Sequence, residues 1–236
     1  MFVVNIADIL IAIDNKYDYV KRQCKNYIID SDKYDFCVSV TEADIEHEIA
    51  VNGSVTTTEH IESVCLYREI AQQLPYYNAF IMHCAAIECN GSAICFAAKS
   101  GTGKTTHINL WRKAFGEQAN IINGDKPIFR YNGNGFNVYG TPWSGKENYN
   151  RNTFAPFKTI CFLERGLINK IDKIQVHTAI NKLLHQVYLP KSDNNAYDLT
   201  LNLLDKLMST ADIWELHCTI SEEAAVIARN KIFSEK

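Results

Sequence analysis

No apolar stretch in this chain approaches the ~18 residues that a membrane span needs. The N-terminus, Met1-Phe2-Val3-Val4-Asn5-Ile6-Ala7-Asp8, lacks a basic region ahead of an apolar run, and Asp8 and Asp14 interrupt its apolar residues. It does not read as a signal peptide, so the expected location is the cytoplasm, with no membrane partner. Excess positive charge is also missing. Lys and Arg number 24 against 27 Asp and Glu, a net charge of −3, which argues against gripping a nucleic-acid backbone by bulk charge. None of the eight cysteines forms Cys-x-x-Cys or stands at zinc-finger spacing from a histidine pair. Cys84, Cys89, Cys95, Cys161 and Cys218 lie in strand-like apolar runs and read as buried, reduced thiols. There is no internal repeat and no low-complexity tract.

What is present suits a packed core. The 236 residues are 47% hydrophobic and 22% charged, enough for one large domain or two small ones. The texture changes near residue 75. Before it, Phe2 to Ile13 is apolar enough for a strand and Asp35 to Val40 for a second. Thr41 reads as a helix N-cap with Asp44 as its reciprocal partner. Leu66, Ile70 and Leu74 recur at four-residue spacing and predict a helix over 59–74, ended by Pro75. Residues 1–75 thus form a small N-terminal α/β region, and 76–236 the main core.

From Ala79 the pattern is α/β. Ala79–Glu88 and Ser92–Ala97 are strands joined by Asn90-Gly91, a strong hairpin signal. A glycine loop at 98–103 precedes a helix to Phe115. Further strands are expected at 119–122, 128–131, 136–139, 159–164 and 213–220, with helices at 177–187, 197–209 and 222–232. The hairpins predict a mixed sheet with helices packed on it.

The most informative segment is Ala98-Lys99-Ser100-Gly101-Thr102-Gly103-Lys104-Thr105. It matches the phosphate loop Gly-x-x-x-x-Gly-Lys-[Ser/Thr], with Ala98 in place of the first glycine. Gly101 and Gly103 let backbone N–H groups turn inward onto phosphate oxygens, and the next helix aims its positive end there. Ser100 to Thr106 are the expected nucleotide contacts. Lys104 would reach the β- and γ-phosphates, and Thr105 would ligate Mg²⁺. Asn123-Gly124-Asp125 follows a short strand, and Asp125 is the natural carboxylate for the metal or the base that takes a hydroxyl proton. Such a loop reads phosphates rather than the base, so ATP, another triphosphate and pyrophosphate all remain open as donor.

Three blocks carry a resemblance. They are Met82-His83-Cys84-Ala85-Ala86-Ile87; Ser100 to His107 followed by Leu110-Trp111; and Asn123-Gly124-Asp125-Lys126-Pro127 with Gly140-Thr141-Pro142-Trp143-Ser144-Gly145-Lys146. Together they resemble the HPr kinase/phosphorylase-like proteins, relatives of ATP-dependent phosphoenolpyruvate carboxykinase. The resemblance covers residues 79–165 well, the tail loosely, and 1–75 by no motif. It implies a carboxykinase-like mixed sheet, ATP with Mg²⁺, and phosphoryl transfer to an acceptor hydroxyl, a protein serine in the best-known members. Those members are oligomers, which leaves an oligomer open here.

His83 matches the family's active-site histidine and would orient phosphate or acceptor. The family often carries two adjacent aspartates where this chain has Gly124-Asp125. Its Pro-Gly-Arg-Asn signature is missing. Lys146, Arg151 and Arg165 are the available cations, with Arg151 a candidate for holding transition-state charge. Thr141-Pro142-Trp143 either walls the site or packs. His107 reads as structural, and Glu42, Asp44, Glu46 and Glu48 as a solvated acidic face. The expectation is a serine-type kinase acting on a peptide or protein. The alternatives are a kinase of a small-molecule hydroxyl and a nucleotide-binding accessory module without chemistry.

Overall fold

The computed structural model describes residues 1–52 and 56–234. The first apolar run is two strands, β1 (Phe2–Ile6) and β2 (Ile9–Asp14), rather than one. Ala7 and Asp8 both take left-handed backbone, φ 55° and 57°, and close a two-residue turn whose twist suits paired strands. Tertiary contacts hold that turn. Arg130 donates to the Ala7 carbonyl at 2.7 Å and Tyr139 Oη to Asp8 at 2.7 Å.

Next come α1 (Asp18–Gln23), β3 (Ile28–Ile29) and β4 (Phe36–Ser39), of which only β4 has a sequence signal. These strands make a four-stranded sheet in the order β3-β1-β2-β4. In α2 (Glu42–Asn52) the expected cap is present: Thr41 N donates to Asp44 at 2.7 Å, and Asp44 N to Thr41 Oγ1 at 3.2 Å. Glu42, Asp44 and Glu46 are exposed. Glu48 departs from the expected acidic face; it is buried and ion-paired to Arg68. In α3 (Thr58–Gln73), Leu66 and Ile70 turn inward as their spacing requires, and Leu74 just beyond the helix is buried with them. A short 3₁₀ turn over Leu74–Tyr77 carries Pro75.

The expected strand over 79–88 is interrupted. β5 (Ala79–Ile81) pairs with β9 (Ile128–Tyr131), whereas β6 (Cys84–Cys89) pairs with β7 (Ser92–Ala97) and β8 (Ala119–Asn123). Met82 and His83 stand in the break. Their partners come from far along the chain: Met82 bridges Val187, and His83 N donates to the Gln186 carbonyl at 2.6 Å. The same pairing shortens the helix expected over 177–187 to α5 (Val176–Leu184), because the chain turns at 185–186 and 186–188 then hydrogen-bond to 81–83.

Most of the rest follows the pattern of the sequence with shifted ends: α4 (Lys104–Phe115), β10 (Phe136–Tyr139), β11 (Phe154–Arg165), and, after β12 (Lys170–Lys173), which the sequence reading did not include, α6 (Asn194–Thr210), β13 (Asp212–Cys218) and α7 (Glu222–Ser234). β11 runs parallel to β7 and β13, and antiparallel to β10. The fold is therefore mixed α/β, with helices against a mixed nine-stranded sheet. α4 packs on α7. One apolar cluster joins Ile6, Leu66 and Leu74 to Ile81, Ile128 and Trp143, so residues 1–75 carry their own sheet but share a core with the rest. Among the described residues no helix is long and apolar enough to cross a membrane. All eight cysteines are free; Cys84, Cys89, Cys95 and Cys161 are buried, Cys218 partly so.

Candidate functional site

β7 is buried along nearly its whole length and ends at Ala97. The chain then turns through 98–103 into α4. Gly101 (φ 77°) and Gly103 (φ 122°) hold backbone that side chains with a Cβ rarely adopt. Ala98 is buried within an apolar cluster, so its methyl group packs where the motif has glycine. Arg165, at the end of β11, donates to the Gly101 carbonyl at 2.7 Å and ties the loop to the sheet. At the start of α4, the amides of Lys104, Thr105 and Thr106 have no intrahelical acceptor by helix geometry and face the loop as donors. Ser100 and Thr106 are exposed, Thr102 and Thr105 half-buried.

The buried Lys104 side chain folds back across the loop. Its ammonium donates to the Ala98 carbonyl at 3.3 Å and lies 2.9 Å from His83 Nε2. His83 Nε2 is also 3.1 Å from Asp125 Oδ1, and Asp125 Oδ2 is 3.3 Å from Lys126. Four ionisable side chains from the β5–β6 break, α4 and the loop after β8 thus converge. Burial opposes ionisation of Asp125, but the His83 hydrogen bond and the Lys126 charge outweigh it and hold the carboxyl down at about 2. Burial pushes the Lys104 ammonium below its ordinary range, with Asp125 opposing.

Asn123 fixes the Asp125 backbone. The fully buried Asn123 accepts from Asp125 N at 2.8 Å and Lys126 N at 2.7 Å, and donates to the Thr141 carbonyl at 2.9 Å. Gly124 accounts for the single carboxylate. A Cβ there would lie 2.8 Å from the Ser144 carbonyl and 3.2 Å from Tyr149 Cβ, so no second aspartate fits on this backbone.

The other expected residues are dispersed. Lys146 is exposed on the loop whose Gly145 passes Asp125. Arg151 N donates to the Ile122 carbonyl, and the residue lines a 660 Å³ cleft with Arg112 and Lys113. His107 is buried as expected, with Nε2 accepting from Trp111 Nε1 at 3.0 Å. Trp143 both packs and walls a cavity, and its Nε1 donates to the Ser63 carbonyl at 3.1 Å.

Sequence reasoning assigned no role to Lys126, Tyr67 or Gln186. Lys126 adjoins Asp125 in the chain and could have been found there. Tyr67 had only a helical apolar pattern, and nothing local marked Gln186. Among the described residues, no group of three or more His, Cys, Asp or Glu side chains could hold a metal ion.

A 510 Å³ cavity lies beside the glycine loop, lined by Thr106, His107, Leu110, Leu163, Thr219 and Ile220 among others. Neither the protein-family models nor the curated proteins compared with this sequence gave a match.

Proposed function

We propose that this chain is an ATP- and Mg²⁺-dependent phosphotransferase with an HPr kinase/phosphorylase-like core, acting on an acceptor hydroxyl. The observation that carries the reading is the meeting of Lys104, from the first turn of α4, and Asp125 on one nitrogen of His83. A cation for phosphate, a carboxylate and a proton carrier stand together beside a glycine loop that ends in a helix N-terminus.

The roles follow from position. The loop amides and Lys104 hold the β- and γ-phosphates, which replace the Ala98 carbonyl as partner of the ammonium. The 510 Å³ cavity gives the nucleoside room, with apolar contacts from Leu110, Leu163 and Ile220. Thr105 and Asp125 would hold Mg²⁺ together with phosphate oxygens and water. That ion would supply charge neutralisation at the transferring phosphoryl group. The acceptor oxygen attacks the γ-phosphorus, the bond to the β–γ bridging oxygen breaks, and ADP leaves. The acceptor proton passes to the His83–Asp125 pair.

A transfer assay tests this, with Mg²⁺ and γ-labelled ATP, and serine, serine-containing peptides and a boiled lysate of the source cells as acceptors. Label should move to an acceptor, and Lys104→Ala should stop it. Tight ATP binding with neither transfer nor ADP would instead support an accessory nucleotide-binding module.

A further inference from the structure

We propose that the 410 Å³ cavity between α3 and His83 is the acceptor site, and that it takes a small carboxylic acid bearing a hydroxyl and a second hydrogen-bond donor. The proposal rests on the phosphotransferase reading for its chemistry, but its binding test does not. The volume lies in the range of small-molecule sites. The reacting end is His83, whose imidazole reaches Asp125. The walls are aromatic: Tyr67 stands 5.6 Å from Trp143 and 6.4 Å from Tyr188 between ring centroids.

Charge selects the ligand's sign. Lys126 and Arg68 line the cavity, and no carboxylate among the described residues does. Their partners, Asp125 and Glu48, lie outside its lining. A ligand carboxylate would share Lys126 and Arg68 with Asp125 and Glu48, the carboxylates that already pair with them from outside the lining.

Gln186 supplies the independent sign of a ligand. It is 9% exposed and lines the cavity, yet its Oε1 has no hydrogen-bond partner among the described residues. Buried amide oxygens are normally satisfied. The backbone holds this one in place, since Gln186 N donates to Leu183 and its carbonyl receives His83 N. The reacting hydroxyl gives its proton to the His83–Asp125 pair, so Gln186 needs another donor, a second hydroxyl or an amine. The N-terminal region has a role in this arrangement, because Val64, Tyr67 and Arg68 of α3 form one wall.

The test is binding to the full chain without nucleotide. The probes are D-glycerate, L-serine and L-tyrosine, with glycerol and ethanolamine as controls lacking the carboxylate. Trp111 and Trp214 are buried in a different cluster, so a fluorescence change lost in Trp143→Phe reports this cavity. At least one acid should bind and the controls should not. Gln186→Leu should weaken that binding about tenfold. Val64→Phe, which fills the cavity from the opposite wall, should do the same should Gln186→Leu fail to fold. Binding of none of the acids, or undiminished binding by the folded variants, overturns the proposal. A labelled peptide in the transfer assay with no acid bound here overturns it too, and leaves the phosphotransferase reading standing.

Discussion

The His83 imidazole and the Asp125 carboxylate meet at 3.1 Å, Nε2 to Oδ1. The same nitrogen lies 2.9 Å from the Lys104 ammonium. Nε2 can donate to Asp125 or accept from Lys104, but not both. The imidazole tautomer therefore decides whether Nε2 serves Asp125 or Lys104, and that choice depends on what else Lys104 holds. If phosphate takes the ammonium, as the proposed function requires, His83 keeps Asp125 as its partner, the arrangement that the proposed proton transfer uses.

That gives the first expected outcome. His83→Gln should lower transfer by about 10²–10⁴, the usual contribution of a positioned proton carrier. Nucleotide affinity should stay within a few fold, because His83 does not line the cavity beside the loop. Labelled transfer and ATP titration on the same preparation separate the two. Equal losses in both would make His83 a support for the loop instead.

Lys104→Ala should remove at least about a hundredfold of turnover, the scale of losing one preorganised charge contact. The fold should survive, since the alanine leaves the helix start and the glycine conformations untouched. Circular dichroism alongside the transfer assay checks both statements. Full activity in the variant would end the phosphate-loop argument.

Asp125 has a consequence for stability as well as for chemistry. Its folded carboxyl is held at about 2, below its ordinary 3.8. A depressed acid stabilises the fold above the unfolded value, and that stability is lost as pH falls from about 4 to about 2. Asp125→Asn should cost up to about 2 kcal/mol at pH 7 and flatten that part of the acid profile. It should also reduce Mg²⁺-dependent turnover far more than nucleotide binding. Urea unfolding from pH 2 to 7, with transfer assays over a Mg²⁺ series, reads both.

Features with local causes were legible in the sequence. Asn90-Gly91 takes left-handed backbone at φ 51° and 72°, and the residues on either side had to pair. Gly101 and Gly103 marked the loop for the same reason, and the strand before it and helix after it are in place. The Thr41–Asp44 cap needed only four residues of chain. The break at Met82-His83 was not legible, because its cause is the segment 186–188, over a hundred residues away. The cavity was hidden for the same reason. Tyr67, Trp143, Lys126 and Gln186 come from four separate parts of the chain, and each has an ordinary local pattern. Arg151 drew attention as one of few cations after Gly140-Thr141-Pro142; its amide donates to the Ile122 carbonyl, and the residue lines the cleft that holds Arg112 and Lys113.

Gly124 leaves no room for a second carboxylate beside Asp125. Gly124→Ala should destabilise by about 1–3 kcal/mol, the range for crowding a packed site, because its Cβ meets the Ser144 carbonyl at 2.8 Å. Gly124→Asp should be at least as costly and should gain no activity. Thermal unfolding of both variants measures the cost. A stable Gly124→Asp with enhanced turnover would show that the loop carrying Ser144 moves aside freely.

His107 sets a second acid limit, directly beneath the glycine loop. Burial pushes its imidazole down to about 3 from an ordinary 6.5. The ring stands edge-on to Phe96 at 4.7 Å and accepts from Trp111 Nε1 through Nε2. The neutral form is therefore built into the core, with the proton on Nδ1. Because the folded value is the lower one, the stability tied to His107 is complete above pH 6.5 and is lost as pH falls toward 3. Between pH 7.5 and 5 the loss should be about 2 kcal/mol. His107→Gln keeps an acceptor for Trp111 but cannot titrate. Urea unfolding at the two pH values should show the wild type losing about 2 kcal/mol more than the variant. Equal losses would place the acid sensitivity elsewhere. With its folded value at about 3, His107 stays neutral in the folded protein at pH 5, so nucleotide affinity there should be the same in wild type and His107→Gln while their unfolding free energies differ.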